Sequence, residues 1–387
     1  MADVRPFRGV RYCATSIGSA LCPPYDVISP ELAKSLRRRS ENAVFLELPQ
    51  GEGPKRYERA ARAWSRWVVD GTLARDSRPA FYAIEERYRL DGRVRTRRGF
   101  LAALGATAKA ARAIIPHERT LAKPKADRLK MLDAVGVNIS PIFGVFADPK
   151  GAARRALACA MRGRPDAAGR SHAGVDYRLW VADEPRVVAA IARALAPRSI
   201  LIADGHHRYA VSREHHARTG GRGSDAVLIY LVADEDAGLV VLPTHRIAKS
   251  SLLAKAGALA SLKKVGSLAQ LKSRVEQSKN PYAFGLIEKG FYFGEPKPGG
   301  CRSGLAVEWL GEHLLSGIAP DEMSYTPDAA LAVKKAKAIG GAAVLVKPFA
   351  VAQVRRAAQA VGLLPQKSTY FYPKIATGLA FRPLDAE

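Results

Sequence analysis

The densest chemistry in the chain lies in LIADGHHRYAVSREHH, residues 201–216, which holds four of the eight histidines. An apolar run predicts a strand that reaches Asp204, and a helical pattern begins after the next glycine. Glycine permits a positive φ there, and the start of a helix favours negative charge because its amide dipoles align. The arginine adds a planar fork that suits phosphate oxygens. The pattern therefore predicts a phosphate-binding loop, with the candidate ligands Gly205, His206, His207 and Arg208.

Two other interpretations of this loop are open. An ordinary helix start with Asp204 as N-cap leaves unexplained three cation-capable residues at the positive end of a helix. A zinc site needs histidines about four residues apart, which neither adjacent pair offers. His215 and His216 are expected on the solvent-facing side of the helix. A magnesium ion carried by a nucleotide needs few carboxylates, and Asp204 is its candidate ligand.

A histidine and a glutamate follow a proline in IPHERT, where His117 and Glu118 precede a predicted helix. Such a pair can act as a general base with an orienting partner. The alternative is a glutamate that stabilises a helix start through the dipole. Spacing alone does not decide between the two.

Three further segments carry candidate substrate contacts. Two prolines in CPPYDVISP fix a loop that either displays ligand-binding groups or forms an Asx-type turn. LPTHRI places a basic pair at a strand end, facing either the same anion or solvent. PQKSTYFYPK sets a lysine before two hydroxyls, which suits a phosphate or carboxylate, although its aromatics also fit an alternating strand. The candidates are Tyr25, Asp26, His245, Arg246, Lys367, Ser368 and Thr369.

These side chains must be positioned by a mixed α/β fold, because strand-like and helix-like patterns alternate along the chain. Residues 1–95 read as an N-terminal α/β region that includes a strand in NAVFLEL. Residues 96–248 read as one compact unit, interrupted near 149–174 by an Arg/Gly/Ala-rich insertion or flexible loop. Residues 249–387 form a C-terminal α/β region that supplies the PQKST element.

Composition limits the class of protein. The chain has 387 residues, a net charge of +25 and an apolar fraction of 48%, which predicts a folded protein of two or three domains. The basic residues are spread out, so a solvated surface is favoured over a polyanion partner. The four cysteines are far apart, and the start lacks a signal-peptide pattern, so reduced thiols and a cytoplasmic location are expected. No apolar run is long enough for a membrane span.

The motifs PPYDVIS, HERT, DGHHRY, LPTHR and PQKSTYFYPK together resemble a widespread prokaryotic family catalogued as a domain of unknown function. The likeness spans nearly the whole chain. DGHHR also resembles the phosphate loop of the ParB/sulfiredoxin superfamily, and among its members the free serine kinases are most similar in function. The resemblance implies a ParB/sulfiredoxin-like nucleotide-binding core within the α/β fold.

For individual residues, the resemblance implies that Glu118 is the catalytic base, with His117 and Asp204 beside it in the catalytic set. It implies ATP or ADP with Mg²⁺ as cofactors and the loop 204–208 as the phosphate site. The late kinase element matches Lys367, Ser368 and Thr369 only loosely, because Gln366 intervenes. Residues 1–95 have no counterpart in the kinases.

The leading prediction is a nucleotide-dependent phosphotransferase, a serine-kinase-like enzyme acting on a small hydroxylated metabolite, with free serine or phosphoserine favoured. The alternative is a non-enzymatic nucleotide-binding or DNA-binding regulator of the ParB type, which the positive charge motivates. No convincing helix-turn-helix follows the loop, so nucleic acid is not the favoured partner. A sulfiredoxin-like thiol chemistry is disfavoured because the loop carries His206 and no cysteine.

Overall fold

A computed structural model gives the structure of the chain and describes residues 1–118, 122–221, 223–297 and 301–385. The chain forms two compact units, the first unit and the second unit. The first unit comprises Met1–Ile115, Thr120–Leu239 and Pro373–Glu387. The second unit comprises Pro116–Arg119 and Val240–Tyr372.

The first unit contains most of the long strands. Its strands before the second unit are β1 Val4–Arg5, β2 Val10–Tyr12, β3 Leu73–Arg75, β4 Phe81–Leu90, β5 Arg93–Gly105, β6 Ile114–Ile115, β7 Val137–Asn138, β8 Ile142–Phe146, β9 Ala167–Arg170, β10 Asp176–Ala182, β11 Ile200–Asp204 and β12 Ala226–Ala233. Its helices are α1 Pro30–Leu36, α2 Val44–Glu47, α3 Pro54–Val69, α4 Ala122–Val135, α5 Ala152–Ala160, α6 Pro185–Leu195 and α7 His206–Thr219.

A nine-stranded mixed sheet organises the first unit. Its order is β6-β11-β8-β12-β5-β4-β10-β9, and β1 pairs with β5. Strand β12 is buried along its whole length because both faces of the sheet are covered, which explains its unbroken apolar sequence. Ile191 and Leu195 of α6 and Leu157 of α5 join Phe100 and Ile229 of the sheet in one core cluster. The mixed sheet confirms the predicted α/β class.

The second unit is built on a six-stranded antiparallel sheet of order β15-β17-β16-β19-β14-β18. Its strands are β13 Val240–Leu242, β14 His245–Ala248, β15 Ala260–Val265, β16 Phe284–Ile287, β17 Phe291–Pro296, β18 Met323–Thr326, β19 Ala342–Val346 and β20 Tyr370–Tyr372. Its helices are α8 Leu253–Leu259, α9 Leu268–Gln277, α10 Ala306–Trp309, α11 Ala329–Ala338 and α12 Val351–Val361. Val344 and Leu345 of β19 join different core clusters, so both faces of this sheet are packed.

The end of the chain returns to the first unit. Strand β21, Arg382–Pro383, pairs with β7, and the carbonyl of Pro373 accepts a 2.8 Å hydrogen bond from the buried guanidinium of Arg97. Within the described residues, no helix combines the length and apolar character that crossing a bilayer requires.

Two local segments of the first unit show how far short patterns determine structure. The hairpin of β4 and β5 turns at Asp91 and Gly92, an Asp-Gly pair typical of such turns. The predicted strand in NAVFLEL is wrong, because the segment forms the short helix α2. The side-chain oxygen of Asn42 accepts a 2.9 Å hydrogen bond from the amide of Val44 at the start of that helix. Short apolar runs do not distinguish a strand from a buried helical turn.

The limits of the two units differ from the predicted domain limits. The predicted limit at 95/96 falls inside β5, which pairs with both β1 and β4. The chain passes from the first unit to the second after Leu239, ahead of the predicted limit at 248/249. The segment 149–174 contains α5 and β9, and β9 pairs with β10. The division into three regions therefore stays a prediction, whereas the chain packs into two compact units.

Candidate functional site

The predicted strand–turn–helix around Asp204 is confirmed in the first unit. Strand β11 ends at Asp204, Gly205 has a φ of 87°, and α7 begins at His206. A Cβ on Gly205 would lie 2.9 Å from the Cγ2 of Ile142, so both the left-handed backbone and the close approach require glycine. Gly205 itself is the N-cap, with no side-chain cap. The carboxylate of Asp204 is therefore not the helix cap that an ordinary helix start would use.

Two cations converge on the Asp204 carboxylate instead. The Nζ of Lys374 donates to Oδ1, and a guanidinium nitrogen of Arg208 lies 3.0 Å from Oδ2. Burial raises the pKa of Asp204, but Lys374, Arg208 and His206 outweigh it and hold that pKa well below its usual range. Two full positive charges thus meet one negative charge at the start of a helix, where the dipole adds further positive potential.

The other loop residues differ in their surroundings. His206 is buried, whereas His207 is half-buried. Arg208 also donates a 2.5 Å hydrogen bond to the carbonyl of Pro141, so its guanidinium is fixed by the protein on two sides. A ligand would meet an arginine whose position is already set, which lowers the entropy cost of binding.

The PPYD loop lies in the same unit and close to Arg208. The ring of Tyr25 stacks under the guanidinium of Arg128, 4.4 Å from ring centroid to Cζ, and its amide donates a 2.9 Å hydrogen bond to Glu47. Burial raises the pKa of Tyr25, and the nearby charges of Arg208 and Arg128 oppose that rise. Asp26 is exposed beside it. The structure thus brings Tyr25 close to Arg208 of the phosphate loop.

A small cavity of about 50 Å³ opens beside Arg208 in the first unit. Its polar lining comes from Glu47, Arg128, Asn138, Ser140, Arg208 and Ser212. The cavity links the PPYD loop's partners to the first turns of α7 and is large enough for ordered water.

The two distal histidines of α7 are not solvent-facing, so that expectation is wrong. The Nδ1 of His215 lies 2.9 Å from a carboxylate oxygen of Asp133, and that of His216 lies 2.9 Å from the hydroxyl of Ser224. Both side chains tie α7 to neighbouring segments of the first unit.

The segment that contains His117 and Glu118 belongs to the second unit, where residues 364–369 hold it in place. The amide of Leu364 donates a 2.8 Å hydrogen bond to the carbonyl of His117. His117 is fully buried, and its Nε2 lies 2.9 Å from the hydroxyl of Thr369 and 3.9 Å from Glu118 Oε1. The same Glu118 oxygen accepts a 3.2 Å hydrogen bond from the amide of Ser368. The Glu118 side chain, 17% exposed, is therefore oriented by the Ser368 amide and lies beside His117.

In PQKSTYFYPK, the lysine and two hydroxyls that were expected to bind an anion are not all available to a ligand. The hydroxyl of Ser368 donates a 2.5 Å hydrogen bond to the carbonyl of Pro365, and the Thr369 hydroxyl is shared with His117. Lys367 has a φ of 54° and is exposed. Both hydroxyls therefore position the segment around Glu118, and the side chain of Lys367 is the exposed group of the three.

The histidine and arginine of LPTHR point to opposite faces of β14, because neighbours in a strand alternate. The Nδ1 of His245 accepts a 3.3 Å hydrogen bond from the amide of Val346, whereas Arg246 donates to the carbonyls of Thr244 and Lys367. Burial and the charge of Arg246 lower the pKa of His245 to about 4. The interpretation in which both side chains face one anion is therefore wrong, and Arg246 alone shares surroundings with Glu118.

Sequence reasoning missed Lys374, the cation that pairs with Asp204. The residue stands in the quoted PQKSTYFYPK motif, but its partner lies 170 positions away. The one available signal is a lysine directly after a proline at the end of an aromatic strand. Lys374 belongs to the first unit, whereas Lys367 belongs to the second.

Asp204 does not fit the predicted role of magnesium ligand. Each of its carboxylate oxygens is already paired with a cation. Over the described part of the chain, no group of three or more His, Cys, Asp or Glu side chains is arranged to hold a metal ion. No step of a mechanism is therefore assigned to a protein-bound metal.

The chain thus combines an α/β fold, an oriented glutamate and a helix that begins beside two cations. Residues 4–311 match the family described as Protein of unknown function (DUF1015), and the chain belongs to that family. A search of curated proteins finds no match.

Solved structures show weak similarity to the chain. A conserved hypothetical protein from Pyrococcus furiosus is 14% identical, with a TM-score of 0.37, over 73% of this chain and 95% of that chain. A free serine kinase in complex with AMP is 14% identical, with a TM-score of 0.38, over 73% and 92%. SbnI with a C-terminal truncation, from Staphylococcus aureus, is 10% identical, with a TM-score of 0.40, over 73% and 87%.

Proposed function

We propose that the chain is a nucleotide-dependent phosphotransferase that acts on a small hydroxylated metabolite, with free serine as the favoured substrate and ATP or ADP as the donor. The observation that carries the proposal is the convergence of Lys374 and Arg208 on Asp204 at the start of α7. Phosphoryl transfer depends mainly on positioning and on neutralising phosphate charge. A net positive cluster at a helix start supplies both requirements.

In this proposal Glu118 accepts the proton of the substrate hydroxyl. Its carboxylate is oriented by the Ser368 amide and lies beside buried His117. The substrate oxygen forms a bond to the terminal phosphorus, the phosphoanhydride P–O bond breaks, and the departing nucleotide takes the bond's electron pair. Oriented carboxylates that accept protons typically contribute about 10²- to 10⁴-fold to rate.

The test follows phosphorus NMR while the protein is incubated with magnesium salts of ATP or ADP and a panel of hydroxy amino acids and hydroxy acids. We expect a phosphomonoester signal with L-serine. Glu118→Gln keeps the size of the side chain and should slow transfer about 10²- to 10⁴-fold. Glu312→Gln, at an exposed glutamate of the second unit, is the matched control and should leave the rate unchanged.

Two results would contradict the proposal. The first is no phosphoryl transfer to any compound in the panel. The second is a Glu118→Gln variant as active as the control, because Glu118 then has no role as proton acceptor. Tight, salt-sensitive binding of duplex DNA without any transfer would favour the regulatory alternative instead.

A further inference from the structure

Arg246 is a buried cation whose charge is not matched by a carboxylate. It is 3% exposed, and no carboxylate oxygen of the described residues lies within 4.0 Å of its guanidinium. Its hydrogen bonds go to two neutral carbonyls, those of Thr244 and Lys367. A guanidinium has five N–H donors, so these two acceptors leave most of its capacity unused. Burying a charge in this way is costly unless a partner arrives.

Thr244 provides a second, independent sign of a missing ligand. Its hydroxyl is buried and has no hydrogen-bond partner among the described residues, although the side chain is only 3% exposed. Native proteins rarely leave a buried hydroxyl unsatisfied. Thr244 and Arg246 are two residues apart, and the Thr244 carbonyl accepts from Arg246, so the unsatisfied hydroxyl and the unmatched cation lie in one place.

The groups around Arg246 indicate the charge of the ligand. The ring of Tyr325 lies 5.9 Å from its Cζ, and the Glu118 carboxylate acts on it from beyond contact distance. Burial lowers the pKa of Arg246 to about 10, and Tyr325 and Glu118 offset that only in part, so the group stays cationic at neutral pH. A carboxylate matches the planar fork of an arginine, and its single negative charge would neutralise the guanidinium of Arg246.

We propose that Arg246 and Thr244 form a binding site for the carboxylate of a small hydroxy acid or hydroxy amino acid. The inference rests on the proposed function and narrows it: the substrate carries a carboxylate near the hydroxyl whose proton Glu118 accepts. Arg246 binds both carboxylate oxygens through its unused N–H groups, and the Thr244 hydroxyl donates to one of them. Simple alcohols, amino alcohols and sugars lack the group that this site requires.

Isothermal titration calorimetry with L-serine and L-serinamide tests this site, in the presence and absence of ADP. The two compounds share the hydroxyl and differ in the carboxylate. We expect the wild-type protein to bind L-serine about 10- to 100-fold more tightly than L-serinamide, the range for a charge-assisted pair. Arg246→Met should remove that preference, and Thr244→Val should weaken L-serine binding several-fold.

Arg274→Met is the matched control, because Arg274 is an exposed arginine of the second unit. It should bind L-serine like the wild type. Thr244→Val keeps the shape of the side chain, so it tests the site even if Arg246→Met fails to fold.

Three outcomes overturn the inference: no L-serine binding by the wild type, equal binding of both compounds, or an undiminished preference in Thr244→Val and in folded Arg246→Met. Transfer of phosphate to L-serine and L-serinamide at equal rates would refute the carboxylate site and leave the phosphotransferase proposal standing. Arg246-dependent binding of L-serine with no transfer would do the reverse.

Discussion

Cationic side chains that are largely buried have different partners in the two units. In the first unit the buried Arg97 makes 2.6 and 2.8 Å hydrogen bonds to Glu86, and the half-buried Arg208 and Lys374 share Asp204. The buried Arg382 of the same unit donates to Asn138 and to two backbone carbonyls. In the second unit, among the residues that the structure describes, the buried Arg246 meets only carbonyls and an aromatic ring. At Glu86 and Asp204 each cation has an anionic partner within the protein, whereas the charge of Arg246 is left for a ligand to neutralise.

This difference predicts which substitutions change the free energy of unfolding and which change ligand affinity. A buried pair with good geometry is strongly destabilised when one partner is removed, because the remaining charge is left unsolvated. A buried cation that lacks a partner already bears that penalty, so replacing it with an apolar residue costs little. Substitutions at Asp204 and at Arg246 should therefore have opposite profiles: a large stability effect in the first unit and a large ligand effect in the second.

The largest effect is expected for Asp204→Asn. The amide keeps the volume but removes the anion that Lys374 and Arg208 share, so the free energy of unfolding should fall by about 3–5 kcal/mol. Urea denaturation followed by circular dichroism measures it. Asp91→Asn, at the exposed turn of the β4–β5 hairpin, is the control and should change stability by under about 0.5 kcal/mol. A loss at Asp204 no larger than the control's would show that the pairing contributes nothing.

The second prediction concerns pH and His245. Burial and Arg246 lower its pKa from 6.5 to about 4, so the unfolded chain binds a proton that the folded chain refuses between those values. Stability from this residue is present above pH 6.5 and is lost as pH falls toward 4, by about 3 kcal/mol at most. His245→Asn, which keeps an acceptor for the Val346 amide, should flatten that slope.

The control for this pH dependence is His172→Asn, because His172 is exposed in the first unit. Its stability should fall with pH as steeply as that of the wild type. An unchanged slope in His245→Asn would mean that the buried imidazole is protonated in the folded protein.

A smaller stability effect is expected for Arg246→Met. Its lost hydrogen bonds to carbonyls and its relieved desolvation oppose each other, so the free energy of unfolding should change by less than about 1 kcal/mol. Chemical denaturation of Arg246→Met and of exposed-site Arg274→Met gives the comparison. A loss comparable to that of Asp204→Asn would show that Arg246 is a structural residue, and would remove the distinction between the two units.

The strand–turn–helix at Asp204 could be predicted because its signals are local. An apolar run, a glycine that must adopt a positive φ, and a helical pattern lie within one short stretch. The hairpin at Asp91 and Gly92 was predictable for the same reason. The helix α2 was not, since a short apolar run fits either class.

Contacts across long stretches of sequence were beyond local patterns. Lys374 pairs with a carboxylate 170 positions earlier, and Ser368 orients Glu118 across 250 positions. The residue types in PQKSTYFYPK predicted an anion-binding role. Only the packing assigns Lys374 to the first unit and Ser368 to the second. The charge state of His245 likewise depends on burial, which its place in LPTHR does not reveal.

The smallest effect is expected for His215→Ala, which tests whether α7 acts through its first turn alone. His215 pairs with Asp133, whose carboxylate is 35% exposed and is also shared with Arg218, so one cation remains after the substitution. Partly exposed pairs contribute under about 1 kcal/mol, and the loss of stability should stay within that range. The affinity for ATP, measured by calorimetry, should be unchanged, whereas Lys374→Met should weaken it by about 1.5–3 kcal/mol, as expected for a charge-assisted hydrogen bond. If His215→Ala weakened ATP binding more than Lys374→Met, the phosphate site would lie along α7 and not at its start.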